Sequence, residues 1–150
     1  MFKLERKQFV NSTIDEVWDF ISNPYNLKEI TPDYMVFKIT SKNLKPKIFP
    51  GMIIKYKVAP ILKIKINWVT EITEVKDKKY FIDKQVSGPY SFWEHQHILE
   101  KHKNGVMMYD IIKYKPPFGI MGRFLNFLFI KKDLKYIFDY RENILNKKYN

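Results

Sequence analysis

No cysteine occurs in the chain. Disulfides, thiolate nucleophiles and cysteine-bound zinc or iron–sulfur centres are therefore excluded, and a reducing compartment suits the sequence. Arginine is nearly absent too: Arg6, Arg123 and Arg141 stand among 27 basic residues, against 16 acidic ones, for a net charge of +11. Arginine is the better fork for phosphates and base edges. The lysines are spread along the whole chain, and no nucleic-acid motif accompanies them. The charge reads as composition, and nucleic acid is not an expected partner. Long apolar runs are also missing. None approaches the roughly 20 residues of a membrane span, and Phe124–Ile130 is interrupted by Asn126. Met1–Val10 alternates charged and apolar residues instead of forming a signal-peptide core. The expected location is cytoplasmic.

What is present suits a packed globule. The chain has 150 residues, 45% of them hydrophobic and 17% aromatic. That size and composition predict one domain, residues 1–150, with a real core. Phe2–Val10 alternates like a strand. Ser12 or Thr13 can cap a helix carrying Asp15 and Glu16 in its first turn and an apolar stripe of Ile14, Val17, Trp18 and Ile21. Asn23-Pro24 ends that helix, and Pro24 opens a second short one closed by Thr31-Pro32. Strands are predicted at Tyr34–Ser41, Met52–Val58, Ile64–Val75, Lys79–Val86, Phe92–His102 and Val106–Lys115. Turns at Lys76-Asp77-Lys78, Ser87-Gly88-Pro89 and Lys103-Asn104-Gly105 separate the last four. Pro116-Pro117 breaks the sheet, and apolar residues from Phe124 to Leu145 then recur at helical spacing. The Phe124–Phe138 stripe is expected to pack on the sheet. Gly119 and Gly122 would also suit a pliant lid, and Lys131 and Lys132 a membrane contact.

The stretch Gly88–His97 carries the chemistry. On a strand, Trp93, His95, His97 and Leu99 share one face. That face is too apolar for solvent and too polar for a plain core, which is the mixture a ligand cavity uses. The same alternation points Tyr56, Trp68, Thr70, Ile72, Phe81, Asp83, Gln85, Met108, Asp110, Ile112 and Tyr114 to that side. Neighbouring strands lie about 4.8 Å apart, so Asp83 and Asp110 can meet the histidines. Four readings follow. Aspartates can fix the imidazole tautomers for a bound ligand. His95, His97 and Asp110 can act as acid and base. His-x-His with an aspartate can form a two-His-one-carboxylate metal set. A satisfied buried network can simply stiffen the sheet. Ligand binding is the expected one, with no metal and no cofactor. His102 is expected to be exposed, and Arg141 and Glu142 to form a surface or sheet-end pair.

A long C-terminal helix is the only element that can cover such a meander. This predicts an α+β helix-grip fold: a curved antiparallel sheet of six to seven strands wrapped on that helix, with two short helices after the first strand. The sequence resembles the START/Bet v 1-like (SRPBCC) superfamily, in its bacterial ligand-binding and polyketide cyclase/dehydrase-like branch. The resemblance rests on Glu16–Ile21, Asn23-Pro24 with Asn26-Leu27, Ile30-Thr31-Pro32, and Pro50-Gly51 before Ile54 and Tyr56. It continues through Trp68 with Thr70-Glu71-Ile72, then Phe81, Asp83, Gln85 and Gly88-Pro89-Tyr90. Trp93, His95, His97, Asp110, Tyr114 before Pro116, Ile137-Phe138 and Tyr140-Arg141 complete it. Leu99 stands where the family pattern has an aromatic. The resemblance implies binding of a small, largely hydrophobic lipid, polyketide or aromatic metabolite between sheet and helix. The ligand residues would be Tyr56, Trp68, Thr70, Phe81, Asp83, Gln85, Trp93, His95, His97, Met108, Asp110 and Tyr114. It implies as alternatives a cyclase or dehydratase using a His–Asp pair, or a protein-interaction module related to cell division or stress.

Overall fold

A computed structural model describes residues 1–60 and 63–150. Strand β1 (Phe2–Val10) leads into helix α1 (Ile14–Ile21) and two 3₁₀ turns, Pro24–Lys28 and Asp33–Met35. Strands β2 (Lys38–Ile39), β3 (Ile53–Val58), β4 (Ile66–Lys76), β5 (Tyr80–Ser87), β6 (Phe92–His102) and β7 (Gly105–Lys115) follow. Helix α2 (Gly119–Leu125), a π turn (Asn126–Ile130) and helix α3 (Lys131–Tyr149) close the chain. The strands form one seven-stranded antiparallel sheet in the order β1-β7-β6-β5-β4-β3-β2. Register shifts at Val69/Thr70 and Ile72/Glu74 interrupt the β4–β5 ladder. Such bulges bend a sheet, and here they help curve it around the helix. The fold is the expected α+β helix grip.

Local chemistry sets each boundary. Thr13 and Glu16 form a reciprocal capping box that starts α1. The helix buries Val17, Trp18 and Phe20, and Trp18 meets Phe81 edge-on at 6.0 Å. The β6–β7 hairpin closes with His102 opposite Gly105. A side chain on Gly105 would strike the Val10 carbonyl oxygen at the end of β1. Polar contacts hold α3 at the β1 edge. Arg6 pairs with Asp139 at 2.6 Å and Glu142 at 2.7 Å, and Gln8 Nε2 donates to the Glu142 carbonyl at 2.9 Å.

Two expectations need correction. Tyr34–Ser41 is not one strand: Val36 adopts a left-handed φ of 49° after the Asp33–Met35 turn, and only Lys38–Ile39 pairs. Left-handed backbone cannot continue an extended strand. The Phe124–Phe138 stripe is also not uniformly core. Ile130, Leu134 and Phe138 are buried, but Phe124, Phe127 and Leu128 face outward. Gly122 and Asn126 occupy the inner positions instead. A side chain on Gly122 would collide with the Pro117 carbonyl oxygen, and the Tyr114 hydroxyl donates to Asn126 Oδ1 at 2.9 Å. These contacts fix which side of the segment points in.

Candidate functional site

Strands β5, β6 and β7 place the ionisable groups on the inner face. His95 lies opposite Asp83 and His97 opposite Asp110 in the ladders. The shortest bonds run diagonally instead: His95 Nε2 to Asp110 Oδ1 at 2.7 Å, and His97 Nε2 to Asp83 Oδ2 at 2.9 Å. The direct neighbours approach less closely, with His97 Nδ1 3.3 Å from Asp110 Oδ1 and His95 Nδ1 3.8 Å from Asp83 Oδ2. The two imidazoles are therefore held between two carboxylates, with ring centres 3.7 Å apart. Phe81 stacks on the His97 ring at 4.0 Å and 14°.

Helix α3 supplies the remaining charge. Arg141 Nη1 donates to Asp110 Oδ1 at 3.2 Å, and its guanidinium lies 4.8 Å over the Phe138 ring. Burial alone would raise the Asp110 pKa. Arg141 and the two imidazoles outweigh burial and hold this carboxyl well below the usual carboxylate range. Burial and the neighbouring His97 pull His95 down to about 4. Burial also pulls on His97, but bonds from Asp110 and Asp83 overcome it and leave this imidazole raised. At neutral pH His95 is therefore neutral, while His97 holds its proton more firmly than a free imidazole does. The Asp110 carboxylate thus faces the Arg141 cation and an imidazole biased toward its charged form, the kind of pairing a buried ionic cluster needs.

This pattern has a pH signature. His95 binds its proton more weakly folded than unfolded, so its contribution falls as pH drops from about 6.5 toward 4. His97 behaves oppositely: its contribution is full below about 6.5 and is lost as pH rises through its raised folded pKa. The expected net result is maximal cluster stability near neutrality. Imidazole ¹⁵N spectra followed through a pH titration should show His97 keeping its second proton to higher pH than a free imidazole, and His95 carrying one proton, on Nε2, at neutral pH. A His95 that charges between pH 6 and 7 (about its unperturbed value) would contradict the assignment.

Among the described residues, Asp83, His95 and His97 form the one group whose potential metal-ligand atoms all lie within 4.8 Å of one another. Coordination needs in-plane nitrogen lone pairs that converge on one point about 2.0–2.1 Å away. The two rings are tilted by 34° with their centres 3.7 Å apart. Nitrogens of both rings already contact carboxylate oxygens of Asp83 and Asp110. A metal ion at this group would have to displace these contacts.

A cavity of about 140 Å³ opens beside this cluster, between α3 and the sheet. Asp83, His95 and His97 line it as expected, together with the predicted Tyr56, Trp68, Thr70, Phe81 and Trp93. Tyr56 Oη and Thr70 Oγ1 bond one another at 3.1 Å, and burial pushes the Tyr56 phenol up. Trp68 meets Trp93 edge-on at 5.3 Å and Tyr90 at 5.6 Å.

Four predicted ligand residues do not reach the cavity. Asp110 stands behind the histidines and orients them. Gln85 holds the turn before β6: its Nε2 donates to the Tyr90 carbonyl at 2.7 Å, and its Oε1 accepts from the Tyr90 N–H at 3.2 Å. Gly88 leaves the space for that amide. Met108 packs in the core around α1, with Trp18 and Leu145. Tyr114 spends its hydroxyl on Asn126. His102 is exposed as expected.

Arg141 and Glu142 do not pair as expected. Arg141 turns inward to Asp110 while Glu142 binds Arg6, because the two point to different sides of α3. Leu134, Ile137 and Phe138 of α3 are cavity walls as well, beyond the residues expected from the strands. Their spacing with Arg141, at i, i+3, i+4 and i+7, is a single helix face and was the available signal. Two buried donors on cavity residues, Trp68 Nε1 and Arg141 Nε, have no hydrogen-bond partner among the described residues.

Known structures share this architecture. TTHA0849 from Thermus thermophilus aligns at TM-score 0.68 and 12% identity, covering 97% of this chain and 95% of that one. A protein from Arthrobacter aurescens aligns at TM-score 0.71 and 10% identity, covering 97% and 86%. XoxI from Bacillus cereus aligns at TM-score 0.66 and 11% identity, covering 99% and 96%. The likeness is one of fold. No protein-family model and no curated protein matches the sequence.

Proposed function

We propose that the protein binds a compact, largely apolar small molecule that carries a hydrogen-bond acceptor, and that it is a ligand-binding member of the START/Bet v 1-like superfamily. The observation that carries the reading is the cavity of about 140 Å³, apolar on most sides and ionic on one. A dry cavity of about 150 Å³ accepts benzene, so the space suits one aromatic ring or an aliphatic chain of similar bulk. Larger lipids or polyketides would need α3 or the Pro24–Met35 segment to move outward.

The wall's free chemistry is donor chemistry. The carboxylates are committed to the histidines and Arg141, whereas Trp68 Nε1 and Arg141 Nε are buried with no acceptor among the described residues. An unpaired buried donor is costly. A ligand carbonyl, phenolate or carboxylate would relieve that cost, while its ring packs against Trp68, Trp93 and Phe138.

Titration with benzoate, p-cresol and toluene tests this, read by the Trp68 indole N–H resonance and by melting temperature. Benzoate or p-cresol should shift the resonance and raise the melting point more than toluene does. Trp68→Phe should weaken the acceptor ligands about tenfold, the scale of one lost hydrogen bond to a charged or polar group, and leave toluene nearly unchanged. No response to any of the three would refute the reading.

A second reading, a dehydratase or cyclase, draws on His97 beside the cavity, whose raised pKa favours the protonated ring. An imidazolium fixed by Asp83 can protonate a departing hydroxyl. His95 is a weak base at neutral pH, so proton removal beside a carbonyl is less suited to this wall than proton delivery.

A further inference from the structure

Residues 118–129 are built inside out. The inner positions of α2 and the π turn hold Gly122 and Asn126. The large apolar side chains point to solvent: Phe118, Ile120, Met121, Phe124, Phe127 and Phe129 are all exposed, Ile120 at 84% and Phe127 at 81%. Scattered exposed apolar residues are ordinary, but a contiguous cluster of this kind marks an interaction surface. The backbone at its entrance is also unusual. Phe118 adopts a left-handed φ of 64°, next to Gly119 at 55°. A bulky side chain is disfavoured there, and no burial of Phe118 offsets the strain. The close approach of Gly122 to Pro117, and the Tyr114–Asn126 bond, hold the segment in this orientation.

The charges around the patch identify its partner. Arg123, Lys131 and Lys132 are exposed within and beside it, on a chain of net charge +11. Apolar side chains ringed by cations match the boundary between acyl chains and anionic headgroups. A second copy of the same chain would bring a second set of cations against the first, which disfavours self-association through this face. No helix among the described residues is long and apolar enough to cross a membrane, so the contact is made in the plane of the surface. We propose that Phe118–Phe129 docks this protein on anionic lipid bilayers, with the apolar side chains in the headgroup–acyl boundary and Arg123, Lys131 and Lys132 against the lipid phosphates.

Sedimentation of the full chain with vesicles tests the proposal. Binding to phosphatidylglycerol-containing vesicles should be at least about tenfold tighter than to pure phosphatidylcholine, and should weaken with salt. The double variant Phe124→Gln with Phe127→Gln should bind at least about tenfold more weakly at an unchanged melting temperature. The single variant Phe127→Gln, at a solvent-facing position, gives the same reading with the least disturbance to the fold. Wild-type protein that stays in the supernatant with anionic vesicles at low salt would overturn the proposal. So would variants that sediment as wild type does, because charge alone would then hold the protein. A concentration-dependent dimer abolished by Phe127→Gln, without vesicle binding, would make a second copy the occupant and equally overturn it.

Discussion

Asp110→Asn should lower stability by about 3–5 kcal/mol, the scale of removing one partner from a buried ion pair. Asp110 is only 3% exposed, and its Oδ1 meets His95, His97 and Arg141 at 2.7, 3.3 and 3.2 Å. Asparagine keeps the shape and removes the charge. Arg141 then loses its only anionic partner among the described residues, and His97 loses one of two carboxylates. For a domain of this size, about 2–4 °C are lost per kcal/mol, so a fall of roughly 10 °C is expected by calorimetry. Adding Arg141→Met to Asp110→Asn should recover part of the loss, because the stranded cation is gone. Equal melting temperatures for wild type and Asp110→Asn would show that the cluster contributes no net charge pairing.

Ile54→Phe should abolish ligand capture, by about a hundredfold or more, while the domain stays folded. Ile54 is buried on β3 and lines the cavity away from the ionic cluster. A benzene ring nearly fills a space of about 150 Å³, so a phenyl group grafted onto this wall takes the ligand's place. Overpacking costs about 1–3 kcal/mol, less than the loss from Asp110→Asn. The two variants therefore separate the roles of the wall: one loses stability through charge, the other loses binding through volume. A variant that retained wild-type affinity for benzoate or p-cresol would place binding outside this cavity.

The strands were the legible part of the sequence. A period of two assigns each residue to a face, so Trp93, His95 and His97 on β6, and Asp83 on the next strand, fell on the inner wall without knowledge of the ladder. The crossed bonding was not legible. Whether His95 takes the aspartate opposite it or the diagonal one depends on ring rotamers and on Arg141, which arrives from a helix 31 positions away in sequence from Asp110.

The helical end was harder to read. From Phe118 to Leu145 apolar residues occur on more than one side, so periodicity alone leaves the phase open. The π turn at Asn126–Ile130 shifts the phase again. The bond from Tyr114 to Asn126 and the close approach of Gly122 to Pro117 decide it, and both are tertiary facts. Hence Phe124 and Phe127, expected to be core, proved exposed, and Arg141, assigned to the surface, proved part of the site. Gln85 failed for a different reason: strand alternation gives the direction of a side chain but not the backbone groups of a neighbouring turn that bind it.

Native mass spectrometry of freshly purified wild type and Ile54→Phe, each with and without added benzoate, p-cresol or toluene, tests the central claim most directly. The account expects a wild-type complex of one small molecule per chain, lost on denaturation and absent from Ile54→Phe. Identical bare masses for the two proteins under all these conditions would contradict it, and would leave the cavity as a packing void beside a structural ionic cluster.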